Sequence, residues 1–233
     1  MFGRKFDLCR AFSLFELLVA LGVLVILSAL AFPVYLQIQA NSNRAECRAK
    51  IRNLGLAITT YAAEHNGEFP RSLHSAGAHR QPGWTQSLFA YLAGDSDSFD
   101  DVLYQKFFRC PEHREKRREV FSYGLNVHFE LDPNGDDYFG SPSTWRKISQ
   151  IPWPSCTILV AEPRPVPFGD HIMSHLWRSQ NAARNALARQ RHKGRPSFLF
   201  VDGHVENLPV EMTFNPARGI NLWNPSVARP GEN

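Results

Sequence analysis

Residues 13–36 read SLFELLVALGVLVILSALAFPVYL, and this apolar stretch decides the fold of the chain. It is long enough to cross a bilayer as a helix, because about 20 residues span the hydrocarbon core. Glu16 is the only charged residue between Ala11 and Asn43. A carboxylate in lipid costs about 2.5–3.5 kcal/mol on insertion scales and therefore needs a partner. If the chain were cut after Ala11, the amine of Phe12 would lie one helical turn from Glu16 and would supply that partner.

The residues before this stretch indicate the orientation of the chain. Arg4, Lys5 and Arg10 precede the apolar residues, and such bases stay on the cytoplasmic side. We therefore expect a single-pass protein of the bacterial inner membrane, with a cytoplasmic amino terminus and a periplasmic carboxy-terminal domain. The formal net charge of +4 is too small to favour nucleic acid as a partner.

The pattern after Pro33 predicts that the helix continues with a different surface. Apolar residues recur there at spacings of three and four, which places them on one helix face. Asn66-Gly67 then predicts the end of the helix. We therefore predict a membrane-spanning helix over residues 12–36 and an amphipathic helix over 37–66. The residues of the apolar face are Cys47, Ile51, Leu54, Ile58 and Tyr61.

Residues 67–233 are predicted to form a small β domain. Runs at 120–127, 156–162 and 196–208 are rich in β-branched and aromatic residues. In the last of them, Asp202-Gly203 predicts a two-residue hairpin turn with positive φ at both positions. The predicted fold class is α+β, with a long amino-terminal helix packed on a small antiparallel sheet.

The amino-terminal residues resemble the processing signal of type IV pilins and type II secretion pseudopilins. In that family a membrane peptidase removes a short basic leader before a Phe, and the new terminus is methylated. The resemblance implies that residues 1–11 are a prepilin leader, that Ala11 and Phe12 form the processing site, and that Phe12 is methylated. It also implies that Glu16, the fifth residue after the cut, serves assembly. Ala11 stands where the family usually has Gly.

The carboxy-terminal half carries a second resemblance. His192 is followed by nine residues and then by Asp202-Gly203, which is similar to the H-X9-DG motif of pseudopilin-like proteins that also have the prepilin signal. We interpret His192, Asp202 and Gly203 as a structural motif in which hydrogen bonds tether the hairpin. The two resemblances together imply a pilin-like fold.

These features predict a structural subunit and not an enzyme. The subunit would be cleaved, methylated and assembled into a periplasmic pseudopilus of a type II secretion-like or type IV pilus-like system. The partners implied are the prepilin peptidase/methyltransferase, copies of the chain itself, other pseudopilins and inner membrane lipid. The sequence has no nucleophile elbow, phosphate-binding loop or dinucleotide fingerprint.

Three other interpretations are open. A membrane-tethered extracytoplasmic binding module would not polymerise and would use exposed tryptophans for contact. An envelope hydrolase would use His192 and Asp202. An ordinary secretory signal would be cut after Ala31, although Glu16 and the helical pattern beyond disfavour it. The tryptophans concerned are Trp84, Trp145, Trp153 and Trp177.

Cysteines and acidic residues suggest two further features. Because Cys47 lies on the apolar helix face, we favour a disulfide between Cys110 and Cys156, although all three thiols are equally compatible with burial as small apolar groups. One segment also alternates oxygen-bearing side chains like a calcium loop but lacks the closing Glu, so we favour a solvated turn. We expect no cofactor and no metal, with calcium as the weaker candidate. The candidate calcium ligands are Asp132, Asn134 and Asp136.

Overall fold

The computed structural model describes four parts of the chain, residues 13–94, 100–132, 135–136 and 145–229. The chain divides into two compact units, Met1–Ser42 and Asn43–Asn233. One helix, α1, runs over Leu14–Glu64, within two residues of the predicted bounds at each end. Its second part packs on a small sheet in the second unit, so the predicted α+β class with a long amino-terminal helix is confirmed.

The first turn of α1 is stabilised by a reciprocal pair of side chains. The Ser13 amide donates to Glu16 Oε2 over 2.9 Å, and the Glu16 amide donates to Ser13 Oγ over 3.2 Å. The Ser13 hydroxyl also donates to Glu16 Oε2 over 3.0 Å. This is a capping box, which satisfies amide groups that a helix start leaves free. Glu16 therefore has a local partner that the sequence argument did not consider.

The first part of α1 is apolar on every side. Its large apolar side chains from Leu14 to Ile38 are all exposed, from 49% at Val19 to 79% at Leu14. No part of the most apolar segment is buried against the rest of the protein. The helix is long and apolar enough to cross a membrane.

The second part of α1 has the predicted apolar face, and this face is buried. The helix ends as predicted, because Asn66 and Gly67 have φ values of 56° and 80°. The Gly67 amide donates to the Ala62 carbonyl oxygen over 2.7 Å, which satisfies one carbonyl of the last turn. The fully buried residues of the predicted face are Cys47, Ile51, Leu54 and Ile58, and Tyr61 is half-buried against them.

Short helices and strands make up the rest of the second unit. Five strands form the main sheet in the order β5-β1-β4-β6-β7, and β2–β3 and β8–β9 form two small pairs. The helices are α2 (Leu73–His79), α3 (Trp84–Ser87), α4 (Phe89–Ala93), α5 (Asp101–Phe108) and α6 (Gln180–Ala186). The strands are β1 (Gly124–Asn126), β2 (Leu131–Asp132), β3 (Gly135–Asp136), β4 (Ile158–Ala161), β5 (His171–Ile172), β6 (Ser197–Phe200), β7 (Val205–Asn207), β8 (Phe214–Asn215) and β9 (Ile220–Asn221).

The main sheet is largely antiparallel, as predicted, with one parallel pair at its edge. The pairs β1–β4, β4–β6 and β6–β7 are antiparallel. The edge strand β5 runs parallel to β1, with Leu125 opposite His171. Two parallel strands need a long connection, and here the chain forms β4 after β1 and before β5. The periodicity of apolar residues in the sequence does not indicate which strands are joined in this way.

The β6–β7 hairpin forms where Asp202-Gly203 predicted it, but its turn has a different shape. Gly203 donates its amide to the Phe200 carbonyl oxygen over 3.0 Å, so Val201 and Asp202 occupy the central positions. Only Gly203 of the motif has a positive φ, of 90°. The predicted two-residue turn with positive φ at both positions is therefore wrong. A turn followed by a left-handed Gly is the usual form of a three-residue hairpin loop.

The sheet separates two apolar cores. Alternate residues of a strand point to opposite faces, so Leu199 joins the core under α1, whereas Phe198 and Phe200 face a second core around Trp223. Trp177 packs edge-on against Trp223 with ring centroids 4.9 Å apart. The expectation of exposed tryptophans is wrong for Trp84 and Trp177, which are buried in the two cores.

Candidate functional site

Four side chains of types that bind metals converge inside the second unit. They are Cys47, Cys110, Glu162 and His192; all four are buried, and their donor atoms lie within 4.8 Å of one another. His192 Nε2 lies 3.3 Å from Cys110 Sγ and 3.3 Å from Glu162 Oε2. The Cys47 thiol lies 3.5 Å from Glu162 Oε1. We call these four residues the thiol–carboxylate cluster.

Four separate elements supply the cluster. Cys47 lies on the buried face of α1, and Cys110 follows the end of α5. Glu162 comes directly after the apolar strand β4. His192 lies in the turn that leads into β6. The cluster therefore forms only when α1, α5 and two neighbouring strands have packed together.

The backbone around His192 adopts an uncommon conformation. His192 and Lys193 have φ values of 53° and 59°, in the left-handed region that non-glycine residues rarely occupy. Long-range hydrogen bonds hold this turn, since the His192 amide donates to Glu112 Oε2 over 2.5 Å. Arg44 Nη2 donates to the His192 carbonyl oxygen over 3.0 Å. Such a conformation persists when the surrounding contacts determine it.

Glu162 is the electrostatic centre of the cluster. Arg191 Nη1 lies 3.3 Å from Glu162 Oε1, and the Ser197 amide donates to Oε2 over 2.8 Å. Burial alone would raise the pKa of Glu162, but the hydrogen bond from His192 and the charge of Arg191 bring it below its ordinary value. Burial would lower the pKa of His192, but its hydrogen bonds to Cys110 and Glu162 raise it. The carboxylate is therefore ionised in this environment.

The two thiols of the cluster differ in their surroundings. Burial raises the pKa of Cys47, whereas the hydrogen bond from Cys47 lowers the pKa of Cys110. All three cysteines in the described part of the chain are free thiols. The predicted Cys110–Cys156 disulfide is wrong, because Cys110 lies in the core beside Cys47 and His192, whereas the contact recorded for the Cys156 thiol is Ser155.

The H-X9-DG motif is divided between two places in the fold. His192 belongs to the cluster, whereas Asp202 lies beyond the far end of β6. Asp202 Oδ1 accepts a hydrogen bond from the His204 amide over 3.1 Å and lies 2.6 Å from His204 Nδ1. The hydrolytic pair of His192 and Asp202 is therefore not formed.

Two other buried acids are satisfied by protein groups nearby. Ser72 donates its hydroxyl to Glu130 Oε2 over 2.7 Å, and burial raises the pKa of Glu130 to about 7. Asp170 accepts a hydrogen bond from the Leu73 amide over 2.8 Å and lies 2.9 Å from His171 Nδ1. These contacts hold α2 to the sheet. Glu162 lies beside two thiols, whereas the described contacts of Glu130 and Asp170 include none.

An open cleft of about 550 Å³ lies on the surface at the end of α1. Tyr61 stacks on His65 with ring centroids 3.8 Å apart and meets Tyr91 edge-on. The Tyr91 hydroxyl donates to Glu64 Oε2 over 2.6 Å. We call it the Tyr61 cleft; its lining residues are Tyr61, Glu64, His65, Gln81, Pro82, Ser87, Ala90 and Tyr91.

The remaining predicted site residues lie largely outside the described part of the chain. Ala11, Phe12 and Asn134 are not among the described residues. Asp132 and Asp136 are described only by their backbone, in the β2–β3 pair. The predicted processing site and calcium loop therefore stay predictions.

Comparison of the chain with models of known protein families, with curated protein sequences and with solved structures found no match. The assignment of function therefore depends on the sequence signals and on the geometry of the chain itself.

The thiol–carboxylate cluster was not predicted from the sequence. Cys47, Cys110, Glu162 and His192 lie far apart in the sequence, so no short motif contains them together. Two local signals were present. A Cys occupies the apolar helix face, and a Glu follows directly after the apolar run of β4, where a buried charge requires partners.

Proposed function

We propose that this chain is a pseudopilin-like structural subunit, anchored in the bacterial inner membrane and assembled into a periplasmic pseudopilus of a type II secretion-like or type IV pilus-like system. One observation carries the proposal: a single helix, Leu14–Glu64, is apolar and exposed in its first part and packed on a domain in its second. The prepilin-type signal and the H-X9-DG motif support the same assignment. The subunit acts by assembly and not by turnover.

The exposed apolar surface of α1 is what assembly would use. A surface of this extent needs an apolar partner. Lipid covers it in the membrane, and the same segments of neighbouring copies or other pseudopilins cover it in the filament. Small side chains permit helices to approach closely in such contacts. The small residues of this segment are Ala20, Gly22, Ser28, Ala29 and Ala31.

Processing would give Glu16 its role in assembly. The prepilin peptidase/methyltransferase cuts after Ala11 and methylates Phe12, which creates a cationic amine beside Ser13. Both bonds from Ser13 go to Glu16 Oε2, so among the described residues Ser13 leaves Oε1 for the Phe12 amine of an adjacent subunit. Burial of an ion pair is tolerable only when both partners are present. The ion pair therefore favours an alignment of adjacent subunits in which the Phe12 amine of one subunit lies beside the Glu16 carboxylate of the next.

Two matched variants separate assembly from helix capping. Glu16→Ala removes both the cap and the proposed pairing, whereas Ser13→Ala removes the cap alone. Each loses about 1 kcal/mol of helix-start stability, but both are expected to insert and to be cut. Crosslinking in membranes should show a ladder of oligomers for Ser13→Ala and none for Glu16→Ala. Mass spectrometry of the mature terminus should show methylated Phe12 in both.

Three outcomes would contradict this proposal. A normal ladder from Glu16→Ala would show that assembly does not need the carboxylate. Equal loss of the ladder in both variants would show that Glu16 acts only as a helix cap. A mature terminus that begins after Ala31 would show ordinary secretion and remove the anchor altogether.

The Tyr61 cleft favours a second candidate function, a membrane-tethered binding module that does not polymerise. Its aromatic walls and the Glu64 carboxylate resemble the apolar lining and few polar groups of a small-ligand site. A tethered monomer gives no crosslinked ladder even in the unaltered chain. The same crosslinking experiment therefore distinguishes the two functions.

A further inference from the structure

The donor atoms of the thiol–carboxylate cluster are spaced like the ligands of one metal ion. Zinc binds sulfur at about 2.3 Å and nitrogen or oxygen at about 2.0–2.2 Å, so neighbouring ligands of a tetrahedral site lie about 3.3–3.8 Å apart. The contacts of His192 Nε2 with Cys110 Sγ and Glu162 Oε2 both measure 3.3 Å. The contact between Cys47 Sγ and Glu162 Oε1 measures 3.5 Å. The two edges that meet at His192 Nε2 thus match one tetrahedron with Glu162 Oε2 as a ligand. The Cys47 contact has a similar length but is made with the other oxygen of the same carboxylate.

The surrounding residues orient these ligands as outer groups do in known metal sites. A metal-binding histidine usually gives its second ring nitrogen to a carboxylate. His192 Nδ1 lies 3.3 Å from Glu112 Oε1 without forming a hydrogen bond in the described part of the chain, and Nε2 faces Cys110 and Glu162. The Ser197 amide donates to the Glu162 carboxylate over 2.8 Å and fixes its plane. Ligand carboxylates are commonly hydrogen-bonded in this way.

We propose that Cys47, Cys110, Glu162 and His192 form a structural zinc site, with Sγ of each cysteine, one carboxylate oxygen of Glu162 and Nε2 of His192 as the four ligands. The ion would join α1 to the segment after α5 and to strands β4 and β6. This inference is independent of the proposed assembly, because it concerns the second compact unit alone.

The charges of the surroundings fit a divalent ion. Two thiolates and the Glu162 carboxylate carry three negative charges, which a zinc ion and the neighbouring Arg191 balance. When the ion binds, each thiol gives up one proton to solvent, and a charged His192 gives up the proton on Nε2 so that it binds as the neutral imidazole.

The donor types select zinc among the common ions. Calcium and magnesium prefer oxygen ligands only, whereas zinc accepts thiolate, imidazole and carboxylate together. All four ligands are buried, and a closed set of four protein ligands is typical of structural rather than catalytic zinc. This inference goes against our sequence-based expectation that the chain holds no metal.

The test measures metal in the intact chain. The unaltered protein is purified in detergent without reductant or chelator. It should contain about one zinc per chain, as measured by inductively coupled plasma mass spectrometry. Cys47→Ser and Cys110→Ser should each lower the zinc content more than tenfold. Cys156→Ser is the matched control, because it removes a cysteine outside the cluster, and its zinc content should equal that of the unaltered chain.

A second measurement does not depend on the folding of the variants. Cobalt(II) exchanged into the unaltered chain should give the visible absorption of a tetrahedral ion and a thiolate-to-cobalt charge-transfer band. Peptide mapping after the free thiols have been blocked should show no disulfide bond at Cys47 or Cys110. A Cys47–Cys110 disulfide, a zinc content below about a tenth of an ion per chain, or a cobalt spectrum without the thiolate band would each overturn the proposal.

Discussion

The two parts of α1 belong to one uninterrupted helix but meet different surroundings. From Leu14 to Ile38 apolar residues cover every side, and nothing in the described part of the chain buries the most apolar segment. In Asn43–Glu64 the large apolar residues other than Leu56 keep to one face, and that face is buried in the core. Both parts are helical. The difference teaches that the pattern of apolar residues, and not the helix itself, decides what each part contacts.

The largest effect should come from removing a buried side chain of the second part. Leu54 is fully buried, so Leu54→Ala should lower the free energy of unfolding by about 2–5 kcal/mol. Tryptophan fluorescence during heating of the chain in detergent should show a Tm lower by roughly 5–15 °C. Leu24→Ala in the first part is the control and should leave the Tm unchanged. Equal shifts in the two variants would contradict the division of the helix.

A charge placed in each part gives the next largest effect. Val25 and Leu56 are exposed to similar extents, 68% and 64%. Val25→Asp puts an unpaired carboxylate into the membrane stretch at a cost of about 2.5–3.5 kcal/mol, part of which the other apolar residues offset. We expect a several-fold loss of chain that resists carbonate extraction from membranes. Leu56→Asp should cause no loss, and a loss of the same size there would show that exposure alone does not distinguish the parts.

The two glycines of α1 should respond with opposite sign and the smallest effect. A Cβ at Gly22 would meet no atom within 4 Å, so Gly22→Ala should stabilise the helix by about 0.5–1 kcal/mol. A Cβ at Gly55 would lie 2.9 Å from Leu199 Cδ1, and Leu199 is fully buried. Gly55→Ala should therefore cost about 1 kcal/mol after its gain in propensity is subtracted. Circular dichroism during heating measures both, and stabilisation by Gly55→Ala would contradict close packing there.

Local patterns in the sequence were enough to predict α1 and the β6–β7 hairpin. The spacing of Cys47, Ile51, Leu54 and Ile58 reports directly on a buried face, and Asn66-Gly67 reports on a helix end. The exact turn was missed, because Asp-Gly sequences suit more than one hairpin loop and the strand ends decide between them. What a few neighbouring residues determine was therefore accessible without the structure.

Features that depend on long-range packing could not be predicted. The parallel pairing of β5 with β1 joins segments separated by β4, and no periodicity marks it. The alternative of a binding module required Trp84 and Trp177 on the surface, but neighbours distant in sequence bury them. The candidate site could not be predicted for the same reason, since its four residues come from four separate elements. From the sequence, the partner proposed for His192 was Asp202, whereas in the structure it is Glu162.

The burial of Trp223 near the end of the chain has a consequence for biosynthesis. Its carbonyl oxygen accepts from Asn126 Nδ2 over 2.7 Å, and Leu222 accepts from the Ile158 amide over 2.8 Å, so both central strands depend on the last segment. Because a chain is synthesised from its amino terminus, this core cannot be completed until residue 223 has left the ribosome. The two central strands should therefore become stable only after that segment has been made.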